Sequence, residues 1–446
     1  MRSDLPPGPS YPPFVQGIGF WNRPIAFLET CRARYGKRFT IRLPFTPHFV
    51  MLTEPEQVKQ AFTAPPDVLH PGEGARVLEP IVGSYSVLLL DGDAHMSQKK
   101  LMLPAFHGEK MAQLSGLMEE VTEREVAELP RDEPVELHPV TQRLTLEIIL
   151  RAAFGLDPGP RLDALRDRLG AMLEFGDRPS SLMVPPKDSL LEKVMYRVGP
   201  AATFVKLQAE ADKLIFEQIH ERRASDEDRD DILAMLLEAR HEDGSPMSDQ
   251  ELRDELMTLL VAGHETTAST LAWAFSQLPH HPAVLDRLTD EVRNGDEGEY
   301  LDATINETLR HRPVLPNVQP RLVKKPIQIG DWEAPPGVCL VANAYLMHHD
   351  SDIYPDPYAF RPERFIEEPP GTYTFIPFGG GRRRCLGASF AMVEMRLVLR
   401  AVLSQFDLRA GSGGGAELPQ RRNITVRPAG GARAVLKERQ PAPVAA

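Results

Sequence analysis

Three cysteines in 446 residues, Cys31, Cys339 and Cys385, are too scattered for a disulfide framework, and no pair has zinc-site spacing. A reducing compartment, the cytoplasm, is the expectation. Long apolar runs are also missing. None approaches the roughly 20 residues that cross a bilayer, so no membrane anchor is expected. The first ten residues are polar and proline-rich and lack the pattern of a signal peptide. Basic residues are in deficit, with a net charge of −12, which argues against a nucleic-acid partner. The chain has no internal repeat.

What is present suits a large core: 42% of residues are hydrophobic and 26% charged. Length alone would allow two or three domains, but it is a soft guide. Residues 1–65 hold short strand-like runs at Phe39–Leu43 and Phe49–Leu52, and from Ala94 onward helical periodicity dominates. Prolines 179, 185 and 186 mark residues 176–200 as an irregular connection, expected to act as a mobile lid. Residues 1–10 and 438–446 are expected to be flexible ends. The longest helix should run from Ser248 to Leu278, roughly 45 Å at 1.5 Å per residue. Ser248-Asp-Gln-Glu251 is a capping box at its start, and Pro279 and Pro282 mark its end.

Residues 375–387 read Phe-Ile-Pro-Phe-Gly-Gly-Gly-Arg-Arg-Arg-Cys-Leu-Gly. Cys385 ends a glycine-rich turn, follows three arginines and precedes an amphipathic helix. A thiolate beside a helix N-terminus and positive charge has a depressed pKa and is a ready metal ligand or nucleophile. The glycines would let a flat, bulky group approach the backbone. A turn with a structural cysteine is the plain alternative. A phosphate-binding loop fails on spacing, since no Gly-x-x-x-x-Gly-Lys-Ser/Thr runs through Gly379 to Gly387. The third reading is an axial ligand to haem iron.

The middle of the long helix reads Ala262-Gly263-His264-Glu265-Thr266-Thr267. Gly263 costs about 1 kcal/mol relative to Ala in a helix interior, and two β-branched residues follow a carboxylate. One reading is a tolerated glycine, a solvated Glu and threonines bonding back to carbonyls. The other is a site. There the glycine admits a flat ligand or dioxygen, and a carboxylate–hydroxyl pair relays protons.

Phe378, Gly381, Arg383, Cys385 and Gly387 fill every specified position of Phe-x-x-Gly-x-Arg-x-Cys-x-Gly. The segment resembles the haem-binding signature of the cytochrome P-450 family. Residues 262–267 look like the same family's oxygen-activation motif. The resemblance implies haem b (iron protoporphyrin IX) ligated by Cys385, with Gly263 against it. It also implies that Thr266 hydrogen-bonds dioxygen and that Glu265 delivers protons. Glu307-Thr-Leu-Arg310 and Phe360-Arg-Pro-Glu-Arg364-Phe365 resemble the family's Glu-x-x-Arg helix and its meander. By resemblance, Glu307, Arg310 and Arg364 form a buried structural ion triad. His95 and Lys99 are similar to the family's propionate-contacting pair, with Lys in place of the usual Arg. Lysine keeps the charge but loses the planar fork. Arg321 and Arg383 match the remaining propionate positions. His280-His281 and His348-His349 lack a third ligand and read as structural.

The resemblance covers almost the whole chain. It implies a mainly α fold with small β regions, one triangular-prism domain over 1–446 without a fused reductase. The haem would lie between the long central helix and the helix after the cysteine loop. The implied protein is a monomeric haem-thiolate monooxygenase. It would insert one oxygen atom of dioxygen into an apolar, lipid-like substrate such as a fatty acid, terpenoid or steroid. Electrons would come from an external ferredoxin or flavodoxin with its reductase, docked on Arg382–Arg384, Lys99 and Lys100. The pocket would be lined by Leu182, Met183, Leu259, Ala262, Val314, Leu315, Val318 and Ile424. Asn317, Arg422 and Asn423 are candidates for anchoring a polar end. Two other classes stay open: a peroxide-driven peroxygenase, against which the Glu265–Thr266 pair argues, and a non-catalytic haem sensor or carrier, which needs no such pair.

Overall fold

The computed structural model describes the chain apart from residues 1–4, 107, 176–199, 228, 296–297, 412–415 and 439–446. The segment expected to form a lid lies outside the described residues, except Pro200, which opens a helix over Pro200–Ala224.

Helix α1 (Pro13–Asn22) lies near the N-terminus, and the helices that position the site are α2 (Gly92–Met102), α3 (Leu137–Phe154), α4 (Asp249–Gln277), α5 (Glu299–His311) and α6 (Ala388–Gln405). Helix α4 is the long helix expected. Its capping box is present: Ser248 Oγ accepts from Glu251 N, and the Glu251 carboxylate accepts from Ser248 N. Leu252–Leu260 and Thr267–Gln277 are buried on every face. A helix buried all round crosses a core rather than lying on one. Its first half is tied to the segment 85–87. Tyr85 N donates to Asp254 Oδ2 at 3.0 Å, Val87 N to Glu255 Oε1 at 2.8 Å, and Thr258 Oγ1 to Ser86 Oγ at 2.6 Å. Its second half is tied to α3 by Thr141 Oγ1, which donates to Ala268 O at 3.0 Å.

The strands are short. A five-stranded sheet runs β1 (Arg38–Ile41), β2 (Phe49–Leu52), β5 (Cys339–Ala342), β4 (Arg321–Val323), β3 (Leu69–His70) in spatial order. Only the β2–β5 pairing is parallel, with Phe49 opposite Cys339. A hairpin of β6 (Pro419–Arg422) and β7 (Thr425–Pro428) turns at Asn423, whose φ is +53°. The helical core includes α3, α4 and α6, and separate apolar clusters lie under the sheet.

Both chain ends are more ordered than expected where they are described. Thr40 N donates to Pro7 O at 2.9 Å and Thr40 Oγ1 to Pro6 O at 2.7 Å, so the proline-rich segment is pinned along β1. Glu438 pairs with Phe406 in a strand register.

Candidate active site

Cys385 N donates to Phe378 O at 3.0 Å and closes the turn that carries the thiol. Gly379 and Gly381 have φ of +65° and +66°, which favours glycine. A β-carbon at Gly380 or Gly381 would collide with Phe62, so these two glycines seat the turn on that residue. The expectation that they make room for a flat ligand is corrected accordingly. The thiol is solvent-accessible. Burial nevertheless raises its pKa, outweighing the Gly387 backbone, Arg384 and Lys99. The residue is thus exposed while the protein around it still disfavours the charged sulfur. The depressed pKa expected from sequence is therefore not a property of the free thiol. Arg382 and Arg384 point to solvent, and Arg383 is engaged elsewhere.

Helix α4 is interrupted in its buried run at the expected motif. Ala262 is exposed, and Val261, Gly263, Glu265 and Thr266 are half-buried. On its β-carbon side Gly263 is filled by Ile149 Cδ1, 3.3 Å away, so this glycine serves the approach of α3. The open position is its neighbour, Ala262. Thr266 Oγ1 donates to Ala262 O at 2.6 Å, the back-bonding common for helical threonine. Glu265 is not solvated. It accepts from Gln142 Nε2 at 2.9 Å and Ser269 Oγ at 2.8 Å, and lies 3.5 Å from His138 Nε2 and 3.4 Å from an Arg422 nitrogen. Burial opposes its ionisation, but His138 and Arg422 hold its carboxyl below the usual range. His264 is buried against Thr145, with Nδ1 at 2.9 Å from Oγ1, and burial pulls it down to about 4. It is a core histidine between α3 and α4.

Four cationic or imidazole groups were expected near propionates. Arg321 is fully buried, with its guanidinium 4.2 Å from the centre of the Phe62 ring. It donates from Nη1 to the Gln319 carbonyl at 3.3 Å, and no carboxylate pairs with it among the described residues. Burial, then Arg383, pulls it down to about 9. His95 is buried, with no ring hydrogen bond among the described residues. Burial, Arg383 and Lys99 push it to about 3. Arg383 has protein partners instead: Asp91 Oδ1 at 2.8 Å, the Val87 carbonyl at 3.1 Å and the Leu90 carbonyl. Lys99 Nζ donates to Arg382 O at 2.7 Å and so grips the cysteine turn.

The ion triad is assembled. Arg310 meets Glu307 through two bonds of 2.6 and 2.8 Å, and Arg364 Nε lies 3.6 Å from Glu307 Oε1. Arg310 also donates to the His348 carbonyl at 2.7 Å, while His348 Nε2 accepts from Ile376 N at 3.0 Å. One buried histidine thus links α5 to the irregular segment leading into the cysteine turn.

The expected pocket residues divide. Leu182 and Met183 lie outside the described residues. Leu259, Ala262, Leu315 and Val318 lie around α4 and the segment before β4, and Val318 abuts Gly379 of the cysteine turn. Val314 instead packs with Trp273 and Val426 in a small cluster of its own. Its side chain is committed to core. Ile424 is 39% exposed at the hairpin tip. Of the polar-end candidates, Arg422 is engaged with Glu265, Asn317 accepts from Asn343 at 2.8 Å, and Asn423 is a turn residue.

The Cytochrome P450 family model matches residues 6–434. The chain belongs to the cytochrome P450 family. "Putative cytochrome P450 135B1" of Mycobacterium tuberculosis is 38% identical over 436 residues, covering 96% of this chain and 90% of that protein. "Putative cytochrome P450 138" of the same organism is 38% identical over 438 residues, covering 98% and 97%. A solved structure, "Retinoic acid bound cyanobacterial CYP120A1", superposes with a TM-score of 0.83 at 24% identity, over 97% of this chain and 99% of that one. The mainly helical P450 fold is therefore the fold of this chain. As a cytochrome P450 it is a haem monooxygenase with a cysteine-ligated haem.

The residues fit that group. A desolvated but accessible thiol heads α6, which packs against α4, and α4 is bared at Ala262. Arg321 and His95 are buried polar groups without an anionic partner among the described residues, and haem propionates are anions. Sequence reasoning missed several residues of this cytochrome P450 site. Asp91 holds Arg383, and Gln142, His138 and Ser269 surround Glu265. Glu394 is fully buried on α6 beside Thr267, with a pKa pushed well up by burial. Only Glu394 left a signal in the sequence: it falls on the buried stripe of α6 with Phe390 and Val398.

Proposed function

We propose that Cys385 is the thiolate ligand and that the chain hydroxylates an apolar, lipid-like molecule on the α4 side of the haem. Residues 1–446 are read as one monomeric, cytoplasmic domain supplied with electrons by a separate ferredoxin or flavodoxin. The observation that carries this reading is the accessible, desolvated Cys385 thiol at the head of a helix packed against the bared middle of α4. Bound through a thiolate, haem iron activates dioxygen and favours O–O cleavage.

The protein's own residues would do the rest. Leu259, Ala262, Leu315 and Val318 offer aliphatic surface that keeps the space dry and orients an apolar substrate. Thr266 would turn its hydroxyl from the Ala262 carbonyl toward oxygen. Glu265, ionised by its partners, would accept a proton through Ser269 and pass it on when its contact with Arg422 opens. Arg321 and His95 would hold propionates, and Asp91 would keep Arg383 in place between α2 and the cysteine turn. Arg382 and Arg384 are exposed and suit an acidic electron donor. Lys100 is already paired with Glu242 at 3.1 Å and adds less than expected.

The test is the carbon monoxide difference spectrum of the reduced protein. A thiolate-type Soret band, lost in Cys385→Ala, is expected; its persistence in the variant would overturn the assignment. Fatty acids, terpenoids and steroids are then screened for a substrate-induced spin shift. Turnover with reduced ferredoxin is compared with turnover on hydrogen peroxide. Faster turnover on peroxide would favour the peroxygenase reading, and no turnover with either would favour a sensor or carrier.

A further inference from the structure

Helix α1 is turned inside out. Gln16 is fully buried and Gly17 buried, while Phe14, Val15 and Ile18 are 57%, 50% and 59% exposed, with Tyr11 at 51% just ahead. The roll of the helix is fixed by its polar residue. Gln16 Nε2 donates to Pro9 O at 3.1 Å and Tyr11 O at 2.7 Å, and its Oε1 accepts from Arg42 N at 2.9 Å. Turning the apolar side inward would break all three. At Gly17 a β-carbon would press on Trp21 and Pro44, so the inward side is closely packed. In the β1–β2 connection, Phe45 is 53% exposed at a φ of +59°, a costly conformation for an aromatic residue. Its ring meets that of Phe14 edge-on at 6.0 Å. Large apolar side chains collected on one outer face mark an interaction surface.

The charge around this face is the reverse of the chain's. Residues 5–48 carry six Lys/Arg and one acid, Glu29, in a protein of net charge −12. Arg32, Lys37 and Arg38 are paired with Asp350, Asp352 and Asp331. Arg23, the residue after α1, and Arg42, held at its backbone by Gln16, are exposed and lack an acidic partner among the described residues. An apolar stripe with a basic rim matches a lipid surface that carries negative headgroups.

We propose that this face seats the protein on an anionic bilayer, with Phe14, Val15, Ile18 and Phe45 entering the acyl boundary and Arg23 and Arg42 meeting headgroup phosphates. The helix would lie in the interface: no described helix is long and apolar enough to cross a membrane. A second copy of the chain is a poorer occupant, because each copy brings the same basic rim. Arg421 Nε donates to Trp21 O at 3.1 Å and joins α1 to the β6–β7 hairpin, so the hairpin lies beside the seated surface.

The test uses the full haem-loaded chain and sedimentation with phosphatidylcholine vesicles, with and without about 30 mol% phosphatidylglycerol. Co-sedimentation with the anionic vesicles is expected, weakened at about 0.5 M salt. Phe14→Glu with Ile18→Glu should lower binding at least ~10-fold. Arg23→Glu with Arg42→Glu should remove the preference for anionic over neutral vesicles. An unchanged thiolate Soret band certifies folding, and if the first pair fails to fold the second decides. Absence of wild-type binding, equal binding by folded variants, or a patch-dependent dimer without vesicle binding would each overturn the proposal. None of these readouts depends on which molecule the enzyme oxidises.

Discussion

Arg422 lies 3.4 Å from Glu265, so the last hairpin of the fold is fastened by charge to the middle of the central helix. The contact keeps a buried carboxylate ionised, together with His138 and against the cost of burial. Glu265 has a lowered folded pKa, so its ionised form is stable down to more acidic pH than an ordinary glutamate. Arg422→Ala removes one source of that lowering. The acid limb of the pH–rate profile should move to higher pH by roughly 1 unit. Measuring substrate turnover from about pH 3.5 to 7 checks this, and an unmoved limb would show that Arg422 does not govern Glu265.

Glu307 is fully buried and faces two guanidinium groups. Glu307→Ala leaves Arg310 and Arg364 without a carboxylate in the interior. The expected loss is about 3–5 kcal/mol of stability, with the purified variant largely free of haem. Denaturation and pigment content per chain measure the two effects.

Glu255 carries a pH dependence of opposite sign to that of Glu265. It accepts from Val87 N, but burial pushes its pKa from 4.5 up to about 8. Between those values the unfolded chain releases a proton that the folded one keeps. Stability is therefore lost as pH rises through the window, and the loss levels off above it. Glu255→Gln keeps an acceptor for Val87 and removes the ionisation. Wild type and variant should have the same pH slope below the window. The variant should gain about 1–3 kcal/mol relative to wild type by pH 8. Urea unfolding across this range gives the difference, and parallel curves would count against it.

Arg321 has a carbonyl and a ring as partners but no carboxylate among the described residues. Arg321→Met, which keeps much of the volume, should leave the haem-free protein as stable or more stable, because an uncompensated buried charge is gone. Haem should dissociate faster, by about 10-fold or more, if the guanidinium holds a propionate. Transfer of haem to an acceptor protein measures the rate. Unchanged haem loss would assign Arg321 to packing alone.

What could be read from the sequence was local. Ser248 and Glu251 form the capping box because three residues fix their geometry, and Glu307 and Arg310 meet for the same reason. The cysteine turn could be identified because its residue types are dense over one short stretch. Contacts between distant segments were not readable. Nothing near Gly380 announces that its neighbour is Phe62, and nothing near Gly263 announces Ile149, so both glycines were assigned to a ligand when they serve protein packing. The hold of Asp91 on Arg383 was hidden in the same way. Val314 looked like pocket lining because it is aliphatic, but Trp273 and Val426 take it into a core of their own.

Helix α4 is secured near both ends by different parts of the chain, Tyr85–Val87 at one and Thr141 of α3 at the other. Its bared middle is therefore suspended between two fixed points. Such an arrangement would hold Glu265 and Thr266 in register with each other whatever molecule occupies the space beside Ala262.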